Sequence, residues 1–184
     1  VSAQELKDCM RDQYEGTPLD ITQGPDAGPW NSKLRYGSLG FQYDSVQYWF
    51  ERPIATQQTA WSFVAQMRGY EGANAGGIFW FGVDDAATSL YVPMYSSITA
   101  VPECFQEGNG DLYTYSPTSA WWTYNIVANW AYSKYSAMVP DIQRVQSTWE
   151  DKFNSQVAVV DEMVAAMSAS EKADWLTKYS NLQA

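Results

Sequence analysis

Asp84 and Asp85 are the one close carboxylate pair that falls where a strand is expected to end. Two such groups can meet an ammonium group or a cation, or one of them can act as a general base with a raised pKa. Aspartate is also a common loop residue that accepts hydrogen bonds from nearby backbone N–H groups, so a structural role stands beside the chemical one. Arg52 is the second candidate. Its planar guanidinium can hold a carboxylate through two parallel hydrogen bonds, or pair with Glu51 or another surface acid. Shortly after it, Thr56, Gln57, Gln58 and Thr59 form a polar patch before a β-strand, suited to orienting a peptide-like ligand. Asn125 and Asn129 face one way on an otherwise apolar helix; buried amides need partners, so a loop clamp is expected there rather than a substrate contact.

The missing residue types narrow the chemistry. There is no histidine among the 184 residues, which excludes a histidine-based triad or a histidine metal site within this chain. The two cysteines, Cys9 and Cys104, are too far apart for a zinc spacing and do not fix the redox compartment. Cys9 lies next to an apolar helical stripe and reads as a small buried hydrophobe. No glycine-rich phosphate loop, serine-centred elbow or cysteine–histidine arrangement is present, and no metal or cofactor is expected. A net charge of −10 argues against nucleic acid as a partner, because a polyanion needs a basic face. No apolar run of membrane-spanning length appears, and nothing in the sequence fixes a compartment.

The elements that must position these residues are legible in outline. The run Ile78-Phe-Trp-Phe81 is apolar without a break, which reads as a central strand covered on both faces. Leu90–Tyr95 resumes a β pattern, giving a hairpin with Asp84, Asp85 and a polar connection at its tip. Phe41–Asp44 and Gln47–Phe50 read as a strand pair turning at Asp44-Ser45, and Trp61–Met67 as an alternating strand. Ahead of them, Ser2-Ala-Gln-Glu5 has capping-box spacing and predicts a helix over 3–14. Residues 16–40 carry enough glycine and proline to predict a long irregular loop. From Ser116-Pro117 the period becomes helical, with Pro140 as a break and Ser168–Glu171 as a second capping box. A first helical face carries Trp122, Ile126 and Trp130; a second runs through Ile142, Val145, Trp149, Phe153, Val157, Val160 and Val164. The order predicts one α+β domain, antiparallel strands over 41–98 and helices over 117–182.

Several strings taken together carry a family resemblance. Met10-Arg-Asp-Gln-Tyr-Glu-Gly-Thr-Pro18, Glu51-Arg-Pro-Ile-Ala-Thr-Gln-Gln-Thr-Ala60, Phe63-Val-Ala-Gln66, Phe79-Trp-Phe-Gly-Val-Asp-Asp-Ala86, Val101-Pro-Glu-Cys104 and Pro140-Asp-Ile-Gln-Arg-Val-Gln146 resemble, in order, the later part of the dipeptidase A family, over about residues 5–155. That family consists of cysteine dipeptidases of the N-terminal-nucleophile hydrolase superfamily. The resemblance implies an αββα sandwich in which the first residue of the mature enzyme, a cysteine, attacks the peptide carbonyl with its own α-amino group as base. Cys9 sits inside an expected helix and does not match the nucleophile's context, so the attacking thiol is expected upstream of Val1. The chain is then the C-terminal part of a dipeptide-hydrolysing enzyme, inactive alone. Its partners would be the dipeptide and the upstream part of the same protein. Half a sandwich would leave an open sheet face, prone to self-association into homo-oligomers. On chemical grounds Arg52 and the Thr56–Thr59 patch are the candidates for reaching the catalytic centre, Arg52 to bind the substrate carboxylate or to steady the attacking sulfur, while Asp84 and Asp85 would meet the substrate ammonium. An aromatic-rich, non-catalytic module, for instance for glycans, is the alternative from a different class, with Trp121, Trp122 and Trp30 as its platforms.

Overall fold

A computed structural model describes residues 1–34, 40–49, 52–70 and 72–184. Gly37, Phe50 and Glu51, to which parts of the expected loop, strand and ion pair were assigned, lie outside them. The fold is α+β: antiparallel strands in two sheets, followed by three helices.

Helix α1 spans Ala3–Met10 and opens with the expected capping box, Ser2 and Glu5 each accepting from the other's backbone N–H. It ends earlier than the expected residue 14. Arg11 N and Asp12 N bond back in tight turns to Asp8 O and Cys9 O, and the Asp12 carboxylate accepts from Tyr14 N at 2.6 Å. This local side-chain bond competes with the helical ladder and sets Tyr14 at a φ of 63°. Residues 16–34 are irregular apart from a tight helical turn at Pro25–Trp30, as the glycine and proline density predicts.

Strands β1 (Gly40–Tyr43) and β2 (Val46–Trp49) pair as a small hairpin. Asp44 and Ser45 both take positive φ, which matches the turn to the twist of the strands. The larger sheet has the order β3 (Trp61–Gln66), β4 (Ile78–Val83), β5 (Val92–Tyr95), all antiparallel, with β4 in the centre. Trp61 pairs with Val83 and Gln66 with Ile78, a register that puts Val64, Ile78, Trp80 and Tyr95 on one face. Those side chains meet Phe153, Val160, Val164 and Leu176 from the helices and form the main core.

The opposite face differs from expectation. It carries Trp61, Phe63, Phe79 and Phe81, neighbouring rings 4.8–6.4 Å apart, of which Trp61 is 57% and Phe63 42% exposed. The apolar run of β4 therefore has one face under helices and one that is covered unevenly: Phe105 meets Phe81 edge-on and Val92 is buried, while Trp61 and Phe63 on β3 stay exposed.

Helix α2 (Ala120–Ser133) begins later than Ser116, because the Ser116 hydroxyl bonds to the Asn109 side chain at 2.6 Å and leaves Ser119 as N-cap. Its buried side is Ala128, Ala131 and Tyr132, whereas Trp130 is exposed. The break expected at Pro140 falls at Lys134, with φ −145° and ψ 54°, and Pro140 sits inside α3 (Tyr135–Val164). So near the helix start, proline loses only one backbone bond. Along α3 the buried row is Gln146, Glu150, Phe153, Val160, Asp161 and Val164, with Val145 and Trp149 exposed. Polar side chains replace apolar ones there because they bind what lies beneath. Helix α4 (Ala169–Gln183) starts on the expected Ser168–Glu171 capping box.

Candidate functional site

The acidic tip of the β4–β5 hairpin is buried. Asp84 is 4% exposed and Asp85 fully enclosed, and Ala86, Ala87, Thr88 and Ser89 after them are also buried. The polar connection is thus an interior turn. Its backbone is satisfied from within, since Thr88 N and Ser89 N bond to Asp85 O. The outward carbonyls are taken by side chains. Arg11 donates to Ala86 O and Ser89 O, and Gln146 to Ala87 O and Ser89 O at 3.1 and 2.7 Å.

Asp85 is saturated. The buried ammonium of Lys33 forms an ion pair with its Oδ2, the Tyr132 hydroxyl donates to the same oxygen at 2.7 Å, and Ala87 N donates to Oδ1 at 3.1 Å. Lys33 Nζ also lies 5.7 Å from the ring centres of both Tyr132 and Tyr135. Burial pulls the Lys33 pKa down against the attraction of Asp85, and burial beside Asp85 pushes the Tyr132 hydroxyl up. Such an enclosed pair holds because the two charges meet and the Tyr132 and Ala87 hydrogen bonds complete Asp85.

Asp84 is different. It takes a left-handed φ of 64°, a conformation that aspartate accepts more readily than most residues. Asn125 on α2 donates to Oδ1 at 3.2 Å, and Asn129 braces Asn125 from one turn on, so the expected clamp forms. Asp84 Oδ2 is buried with no partner among the described residues, and burial raises the pKa of the carboxyl.

The polar patch meets this turn through the backbone. Asp84 N donates to Ala60 O at 2.8 Å, and Thr59 N to Thr56 O at 3.1 Å closes a turn immediately before it. Thr56, Gln57 and Thr59 are half-buried and Gln58 is exposed. Ala55 N bonds to Asp12 O, tying this segment to the turn after α1. Arg52 is exposed; its carbonyl accepts from the Tyr14 hydroxyl at 3.0 Å. The structure thus joins Asp84 to the end of the Thr56–Thr59 turn, and fixes the backbone of Arg52 from another side.

Behind the site, Glu150 receives two bonds from Arg11 (2.6 and 2.9 Å), one from Tyr91 N at 3.0 Å, and lies 4.0 Å from Lys7 Nζ. Burial alone would raise its carboxyl, but the Arg11 bonds and charge outweigh it and hold the pKa below the ordinary value. Sequence reasoning missed Lys33, Tyr132, Arg11 and Glu150. Lys33 stands in an irregular stretch with no period to expose it, and Glu150 looks like any charge on a long helix. Cys9 was expected buried and is exposed on α1; Cys104 is half-buried, where burial pushes its thiol up.

The family model described as peptidase family C69 matches residues 1–148, four-fifths of the chain. The chain belongs to peptidase family C69. This agrees with the dipeptidase A resemblance over about residues 5–155, and peptide-bond hydrolysis is the chemistry of the family C69 protein it represents. The matched span holds α1, both sheets, α2 and the Gln146 end of α3, and so every residue of the site described above except Glu150. No curated protein matches the chain.

Proposed function

We propose that this chain is the C-terminal part of a cysteine dipeptidase, supplying fold and substrate contacts while the nucleophilic cysteine lies upstream. The observation that carries the reading is the row Trp61, Phe63, Phe79 and Phe81. A sheet with a close-packed helical layer on one side and half-exposed aromatic rings on the other has the form of one half of a layered sandwich. The upstream part of the same protein is the partner that this face fits. Two further observations support it. Cys104 is half-buried, with its thiol pushed up by burial rather than activated, and the chain has no histidine to serve as a base.

Within that reading the two aspartates separate. Asp85 is consumed by Lys33 and Tyr132, so Asp84, with its unpartnered Oδ2, is the carboxylate that receives the substrate ammonium. The Thr56–Thr59 turn offers amides and hydroxyls beside it for the peptide unit, and the exposed Arg52 offers a guanidinium for the substrate carboxylate. Nucleic acid and membrane are not partners in this reading. The net charge is −10, and among the described residues no helix is long and apolar enough to cross a membrane.

The test compares two proteins. The 184-residue chain alone is expected to hydrolyse no dipeptide, whereas the longer protein does so and loses the activity when its upstream cysteine is replaced. Turnover by the pure 184-residue chain would end the proposal. In the longer protein, Asp84→Asn is expected to raise KM about tenfold, the worth of one charge-assisted contact, and an unchanged KM would remove Asp84 from the site.

A further inference from the structure

A polar cleft of about 630 Å³ opens between the α1 segment and the first half of α3, and a second of about 440 Å³ shares Gln13, Glu15, Tyr135 and Gln143 with it. The larger one is of small-molecule size. Its wall includes none of Arg52, Thr56–Thr59, Asp84 or Asp85. Five charged side chains line it: Asp8, Arg11, Asp12, Glu15 and Glu150. Arg11 and Glu150 neutralise each other through their two bonds. Asp8, Asp12 and Glu15 remain, and among the described residues none of them has a cation within 4.0 Å. Even with the ammonium of Lys7 4.0 Å from Glu150, carboxylates outnumber cations around this concave surface and set up a field that favours a positive guest.

A second feature points to a guest independently of that charge. Gln13 is 1% exposed and belongs to the wall of both clefts, yet its Nε2 donates to nothing in the described protein, while its Oε1 accepts from Tyr135. A buried amide donor without an acceptor costs free energy that a ligand oxygen would recover. No three histidine, cysteine, aspartate or glutamate side chains among the described residues converge as a metal site needs. An extended organic cation therefore suits the cleft better than a metal ion.

We propose that this cleft binds a small basic peptide, its ammonium or guanidinium groups facing Asp8, Asp12 and Glu15 and one of its carbonyl or carboxylate oxygens accepting from Gln13 Nε2. The site is separate from the one proposed for hydrolysis.

Calorimetric titration of the protein with the dipeptide lysyl-alanine tests it, with glutamyl-alanine and 1,4-diaminobutane as comparison ligands. The expected result is single-site binding of lysyl-alanine, none of glutamyl-alanine, and weaker binding of the diamine, which lacks the acceptor. Asp12→Asn with Glu15→Gln removes two charges but keeps both side chains' acceptor oxygens for Tyr14 N and Gln13 N, so the turn stays folded. This pair is expected to weaken lysyl-alanine about five- to tenfold, as two partly exposed ion pairs would. Gln13→Met is expected to abolish the preference for the dipeptide over the diamine. No binding, equal binding of the acidic dipeptide, or a preference untouched by Gln13→Met overturns the proposal. So does binding lost in Asp84→Asn but kept in the double variant, and that pattern would locate the peptide at the hydrolytic site instead.

Discussion

Lys33 and Asp85 show what one buried pair can demand of its surroundings. Neither charge reaches solvent, so removing one strands the other. Lys33→Met is therefore expected to cost about 3–5 kcal/mol in urea unfolding, and adding Asp85→Leu should recover part of that rather than deepen it. Additive losses would show that the two charges do not act as a pair. Glu150 makes a prediction with a sign. Its pKa is lower folded than unfolded, so the unfolded chain binds the extra proton, and stability rises with pH across that window. The contribution is complete above the ordinary glutamate value of about 4.3 and drains away as pH falls through the lower folded value. Glu150→Gln should flatten the fall in Tm between about pH 5 and pH 3; an unchanged slope would show that other carboxylates set it. Among the site residues, Asp84, Asp85 and Asn125 were legible because they interrupt apolar patterns. Lys33, Arg11 and Glu150 were not, because a single charge reveals nothing until its distant partner is known.

At the scale of elements, local signals held where the physics is local. Both capping boxes form as spaced, and the Asp44-Ser45 turn joins its strands as read. The readings that failed are those where a competing bond or a remote partner decides. Ser116 is drawn off to Asn109, Asp12 ends α1 early, and α3 turns Gln146 and Glu150 inward to serve Arg11 and the carbonyls of the acidic turn. An apolar period cannot anticipate a helix whose inner face must be partly polar. The exposed side of the larger sheet carries its own prediction. Trp61→Thr with Phe63→Thr puts β-branched strand formers in place of the two most exposed rings of this row. Sedimentation should show less self-association than in the parent chain, with the urea midpoint nearly unchanged. A core substitution such as Trp80→Ala is expected to cost about 3–5 kcal/mol instead. Equal losses from the two would mean that the aromatic row is already packed.

For the molecule as a whole, the α+β class and the antiparallel order were readable, since apart from α1 the strand-forming stretches all precede the helix-forming ones. What lies on either face of the sheet was not, because an unbroken apolar strand states only that both faces avoid water. In the proposed longer enzyme the aromatic face is covered, so the upstream part should protect the β4 amides from hydrogen exchange beyond their level in the 184-residue chain. Equal protection in both proteins would count against a joint sandwich.

The carbonyls of Ala86, Ala87 and Ser89 are gripped by Arg11 and Gln146, and two residues farther Glu150 holds Tyr91 N. Those three side chains work as a ruler laid along the chain, with marks at fixed intervals. Side chains between Asp85 and Tyr91 can change within the space available, but inserting or deleting a single residue would move each mark off its peptide group. Related sequences should therefore vary in letters across this hairpin while keeping its length.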